Sequence, residues 1–121
     1  MTVSAETIGH RVGTWHAVCR LKSILVGTGV GALVEGVPVA VFRPTEESVF
    51  AIGNIDPFSG ASVMCRGIIG DIDGELVVAS PIYKQHFRLA DGSCVEDGSV
   101  SVPSFAATVA DGEIFVQAPD A

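Results

Sequence analysis

Apolar residues along this chain come in short runs rich in Val and Ile, and each run is soon cut by Gly, Pro or Asp-Gly. That spacing predicts many short strands joined by tight turns, because helices need longer stretches with a 3.6-residue period. Strands are expected over residues 14–20, 31–35, 37–43, 48–54, 67–72, 75–80, 104–110 and 113–118. Hairpins are expected where "GALVEGVPVAVF" turns at Glu35-Gly36 and "FAATVADGEIFVQA" turns at Asp111-Gly112, with a third at Asp73-Gly74. Two-residue turns of this kind take positive φ at both central residues, which Asp-Gly tolerates well. Between residues 105 and 110, Phe105, Ala107 and Val109 alternate with Ala106, Thr108 and Ala110, the pattern of a half-exposed strand. The fold class that follows is all-β: an antiparallel β-sandwich or small barrel.

Composition narrows the class further. With 48% hydrophobic residues and a mean hydropathy of +0.48, the chain is too apolar to be disordered. Charges such as Glu35, Arg43 and Arg66 leave no apolar run long enough to span a membrane, so no membrane partner is expected. Its 121 residues suit one domain, and neither a linker nor a repeat breaks them. The opening "MTVSAETIGHRVG" lacks a basic segment followed by an apolar one, so a cytoplasmic location is expected rather than secretion. The formal charge is −7, and the seven Lys and Arg are scattered from Arg11 to Arg88. Nucleic acid is therefore not an expected partner, since phosphate binding needs concentrated positive charge. Cys19, Cys65 and Cys94 are an odd number without a CxxC pair and read as free thiols in a reducing compartment.

Several motifs fail on inspection. Gly27, Gly29 and Ala32 fit the spacing of a dinucleotide fingerprint, but Gly36 and Pro38 leave no room for the helix it requires. Asp71, Asp73 and Glu75 suggest a calcium loop, yet the sixth and twelfth positions counted from Asp71 hold Leu76 and Ile82, not Gly and Glu. His10, His16 and His86 are too far apart to supply two ligands to one metal by any standard spacing. Neither a metal site nor a catalytic residue is expected. A Cys65/His86 nucleophile pair would have to be assembled in space, and nothing local supports it.

One region carries a resemblance. The segments "RGIIGDIDGELVVASPIYKQHFRLADGSC", "VAVFR" with "VFAIGNIDPFSGA", and "TWHAVC" are similar to the small subunit of the cytoplasmic NAD(P)H-dependent assimilatory nitrite reductase. The likeness runs from about Trp15 to Gln117 and implies a single Rieske-like domain over 1–121, with its core at about 14–118. Rieske domains hold a [2Fe-2S] cluster through CxH and CxxH loops, one Cys and one His from each. Laid on those loops, "VMCRG" and "SPIYKQHF" place Val63, Cys65, Ser80 and Tyr83 at the four ligand positions. Three of these cannot act as ordinary cluster ligands, so the resemblance implies a Rieske-like fold without the cluster. Val63 and Tyr83 are expected to fill the space, and Arg66-Gly67 and Pro81 to close the loops.

The resemblance further implies a non-catalytic accessory subunit, with no cofactor in this chain. FAD, an iron-sulfur cluster and sirohaem are expected in the large catalytic subunit, which would be its partner. The expected contact surface is the loop pair: Met64, Arg66, Ile82, Tyr83, Lys84, Gln85 and His86. The alternatives are a Rieske-type ferredoxin serving an oxygenase, which the missing ligands oppose, and a thiol enzyme using Cys65 with His86.

Overall fold

The three two-residue turns form as their chemistry requires. In the computed structural model, which describes residues 14–117, φ is 52° and 79° at Glu35-Gly36, 52° and 85° at Asp73-Gly74, and 52° and 78° at Asp111-Gly112. Three hairpins result: β2 (Thr28–Val34) with β3 (Val37–Arg43), β5 (Ile68–Ile72) with β6 (Glu75–Ala79), and β9 (Ala107–Ala110) with β10 (Glu113–Gln117). The other strands are β1 (Trp15–Arg20), β4 (Phe50–Gly53), β7 (His86–Arg88) and β8 (Ser104–Phe105). All pairings are antiparallel and build three sheets, ordered β1-β10-β9, β2-β3-β4-β8 and β5-β6-β7.

The four-stranded sheet is the middle layer. In β3, Val39 and Val41 enter one core with Ile24, Val34, Ala51, Ile114 and Val116, while Ala40 and Phe42 enter a second with Ile52, Met64, Val78, Phe87 and Leu89. A strand with period-two side chains buried on both faces has to read as a continuous apolar run, and "VPVAVF" does. Gly29 belongs to the same design. A Cβ there would lie 2.6 Å from the Phe42 ring, so this glycine serves strand packing and not a phosphate loop.

The all-β reading holds, with local corrections. The expected strand 31–35 begins three residues earlier, at Thr28, and 48–54 contracts to Phe50–Gly53. Ser48 leaves the sheet because its Oγ bonds Thr45, and Asn54 leaves it to organise the next loop. The stretch 104–110 is two strands: β8 pairs with β4, then the chain crosses at Ala106 and β9 pairs with β10. Burial over 105–110 alternates as expected. The short β7 was not foreseen, being three residues with polar ends. His10, Ala118 and the opening segment lie outside the described residues.

Candidate functional site

The two loops singled out in sequence meet through a buried carboxylate. Asp56 is fully buried in the segment after β4, where its Oδ1 accepts the Phe58 N–H at 2.8 Å. Its Oδ2 accepts the Ser80 hydroxyl at 2.5 Å, which fastens the first loop to the second. Asn54 organises the first loop from within: Oδ1 accepts the Cys65 N–H at 2.7 Å, Nδ2 donates to Ser62 Oγ at 2.8 Å, and its carbonyl accepts the Met64 N–H. The second loop closes on itself, with Ser80 N–H donating to the Gln85 carbonyl and Lys84 N–H to the Ser80 carbonyl. Every one of these polar groups has a partner, as burial requires.

The four positions that the resemblance aligns with cluster ligands carry the wrong atoms. Val63 offers only a half-buried aliphatic side chain. Cys65 is a thiol whose sulfur packs against β2 at Gly31, 3.2 Å from where a Cβ would stand. Ser80 is fully buried, and its hydroxyl is committed to Asp56. Tyr83 is 60% exposed, so it does not fill the space between the loops as expected; the 80–85 turn carries its phenol outward. A thiolate at position 80 would also face the Asp56 carboxylate in a dry setting, where like charges repel strongly. These residues do not fit a [2Fe-2S] cluster.

The expected contact residues divide. Arg66, Ile82, Tyr83 and Lys84 are exposed on the loops, and Gln85 and His86 are half-buried. Met64 has no exposed surface and belongs to the core beside Phe42 and Phe87, so it is not a contact. The correction has a local cause: residues Met64–Arg66 form one turn of 3-10 helix, which points Met64 inward and Arg66 outward. Ile68, 75% exposed beside the second loop, belongs to this surface instead.

Cys65 and His86 are engaged separately: the Cys65 sulfur packs at Gly31, the His86 ring is held by Glu96, and no hydrogen bond joins the two. His86 Nδ1 lies 2.5 Å from Glu96 Oε2, and its backbone N–H donates to Glu96 Oε1 at 2.8 Å. Burial pushes the Glu96 carboxyl up, but the His86 backbone and ring hydrogen bonds outweigh it and hold the carboxyl below its ordinary value of 4.5. A group depressed in the folded state stabilises the fold above the unfolded value and loses that contribution as pH falls through the folded one. Glu96→Gln should therefore cost about 0.5–1 kcal/mol at pH 7, as partly exposed pairs do. Urea unfolding of both proteins should show that gap closing below pH 4.5; a gap that is constant from pH 7 to pH 3 contradicts the assignment.

Among the described residues no group of three His, Cys, Asp or Glu side chains is placed to hold a metal ion. Asp71 Oδ1 instead accepts the Gly74 N–H in an exposed turn, as expected of a hairpin tip. A wider groove of about 620 Å³ lies between Leu21, the 47–49 segment and β9, but among the described residues Glu47 is its one charged lining residue. Asp56, Asn54 and Glu96 were missed in sequence, where a buried carboxylate looks like any loop polar residue. The signal available was Asp-Pro followed by Ser-Gly, a turn that brings its own carboxylate inward.

Comparison with known proteins shows the family. The model of the Rieske-like [2Fe-2S] domain matches residues 14–117. The nitrite reductase (NADH) small subunit of Salmonella typhimurium is 54% identical over 101 residues, which are 83% of this chain and 94% of that one. The solution structure of the nitrite reductase [NAD(P)H] small subunit from Erwinia carotovora superposes with a TM-score of 0.77 at 52% identity, covering 88% of this chain and 83% of that chain. A nitrite reductase [NAD(P)H] large subunit from Klebsiella oxytoca is 38% identical over 102 residues, 84% of this chain but 11% of that much longer one. No helix among the described residues is long and apolar enough to cross a membrane. With a Rieske-like framework and this degree of identity over nearly the whole length of the small subunits it matches, the chain belongs to the nitrite reductase small subunits of the Rieske-like domain family.

Proposed function

We propose that this chain is the accessory, non-catalytic subunit of a cytoplasmic reductase that converts nitrite to ammonia with electrons from NAD(P)H. In this reading it carries no cluster, and FAD, iron-sulfur and sirohaem groups reside in the large subunit. The observation that carries it is the loop pair. Val63, Cys65, Ser80 and Tyr83 supply one thiol where a Rieske cluster needs two thiolates and two imidazoles, and the Ser80 hydroxyl is held by Asp56. A domain that keeps its framework while lacking its redox ligands can still act by binding. The occurrence of a similar domain within a large-subunit chain supports a place beside the catalytic machinery. The donor set gives no support to the alternative, a Rieske-type ferredoxin serving an oxygenase.

The purified chain is expected to be colourless after iron-replete expression, and to raise nitrite-dependent NAD(P)H oxidation when added to its large subunit. Two irons per chain with [2Fe-2S] absorption bands would contradict the absence of a cluster. An unchanged oxidation rate, with no complex formed, would contradict the subunit role.

A further inference from the structure

Arg66 and Lys84 reach the same place from different loops. Together with Ile68, Ser80 and Pro81 they line a notch of about 90 Å³ where the first loop meets the second. Among the described residues neither cation has an ion-pair partner, whereas Arg43 is paired with Glu46 and Arg88 with Glu75. Among the described residues no carboxylate lines the notch. Asp56, behind Ser80, is fully buried with both oxygens hydrogen-bonded, and Glu96 is engaged by His86. On a chain of formal charge −7, this end presents two adjacent cations to solvent.

The backbone adds a second observation. Lys84 has φ 69°, a left-handed conformation that glycine adopts freely and lysine does not. The other described non-glycine residues with positive φ, Glu35, Asp73 and Asp111, are each the first residue of a two-residue hairpin turn. Lys84 is in no such turn, so loop geometry alone would be met better by glycine. What lysine contributes there is its ammonium group beside Arg66. Ile68, which lines the notch, is 75% exposed, and Ile82 and Tyr83, on the same loop as Lys84, are 43% and 60% exposed, so the cations are set among exposed apolar side chains.

We infer that the notch receives a carboxylate side chain of the large subunit, with Ile68, Ile82 and Tyr83 as the apolar seat around it. The inference rests on the subunit reading above and names the chemistry of the contact. A volume of about 90 Å³ suits an Asp or Glu carboxylate and is too small for a nucleotide. The apolar border suits a protein surface, where a charge pair gains strength as water is excluded. The large subunit is the occupant because a domain like this one is carried within a large-subunit chain, and the notch supplies the charge such a contact needs.

Affinity of the full chain for its purified large subunit tests this, measured calorimetrically at low and high salt. The R66E/K84E double reversal should weaken binding by about 100-fold, and the wild-type affinity should fall with salt more steeply than that of the variant. K84G should weaken binding by about 10-fold while leaving the melting temperature unchanged or raised, since glycine relieves the positive φ. Asp73→Lys, at the other end of the β5–β6 hairpin, should bind as wild type does. If the double reversal fails to fold, K84G decides. Wild-type binding with K84G within about twofold of it overturns the notch while leaving the subunit reading intact. Absence of wild-type binding overturns both, and so does binding to anionic vesicles but not to the large subunit.

Discussion

Asp56→Ala should lower the thermal unfolding midpoint by about 10–20 °C. The substitution removes the acceptor of two hydrogen bonds at once, leaving the buried Ser80 hydroxyl and the partly buried Phe58 N–H without it. Bonds to a charged acceptor contribute about 1.5–3 kcal/mol each, the upper value being reached only by the fully buried Ser80 bond, so the loss is about 3–5 kcal/mol, a large share of the stability of a domain this size. Asp56→Asn separates charge from hydrogen bonding. Its amide oxygen still accepts from Phe58 and its NH2 group can donate to Ser80 Oγ, so a loss of about 1–2 kcal/mol is expected. Melting followed by circular dichroism measures both. An Asp56→Ala protein melting within about 3 °C of wild type would mean that the two loops are held together by something other than this carboxylate.

Gly67→Ala should be nearly as damaging for a different reason. A Cβ at position 67 would stand 2.3 Å from the Ala79 carbonyl oxygen and 2.6 Å from Val78 Cγ2. The oxygen is backbone, and moving it disturbs the Ile68–Ala79 pairing that begins the β5–β6 hairpin. Ser80 is the next residue, so its bond to Asp56 is drawn into the same displacement. A loss of about 3 kcal/mol or more is expected in urea unfolding. Gly70→Ala is the internal control. A Cβ there meets nothing closer than Val77 Cγ2 at 3.9 Å, and the change should be within about 1 kcal/mol of wild type. Equal stability of the two variants would refute the close approach. The glycine admits the backbone of β6 at Ala79, and the arginine beside it faces outward.

The parts of the fold readable in sequence are those set by neighbouring residues. Glu35-Gly36, Asp73-Gly74 and Asp111-Gly112 specify their turns through φ alone, and the strands on either side follow from them. Elements set by distant pairing were harder. Nothing local divides 104–110 into β8 and β9, because the division depends on which sheet each half joins. β7 is only His86–Arg88 and owes its existence to pairing with β6. The candidate surface was legible through the resemblance and not through periodicity, and it failed at Met64. There the 3-10 turn carries the chain from inward at Met64 to outward at Arg66, a change that a list of consecutive loop positions does not reveal. Asp56 escaped notice for the opposite reason, since in sequence a carboxylate gives no sign of being buried.

β3, with Val39 and Val41 on one side and Ala40 and Phe42 on the other, leaves the molecule no plane along which its halves could part. If either outer sheet detached, it would expose one face of the strand that the remaining half needs, so the two cores gain and lose order together. Ligand binding to the folded form then slows exchange of the core amides that open only when the whole domain unfolds. A partner held at the loops would slow exchange of the amides in β10 although it touches none of them, and a defect in the β1-β10-β9 sheet would reduce the fraction of chains able to dock.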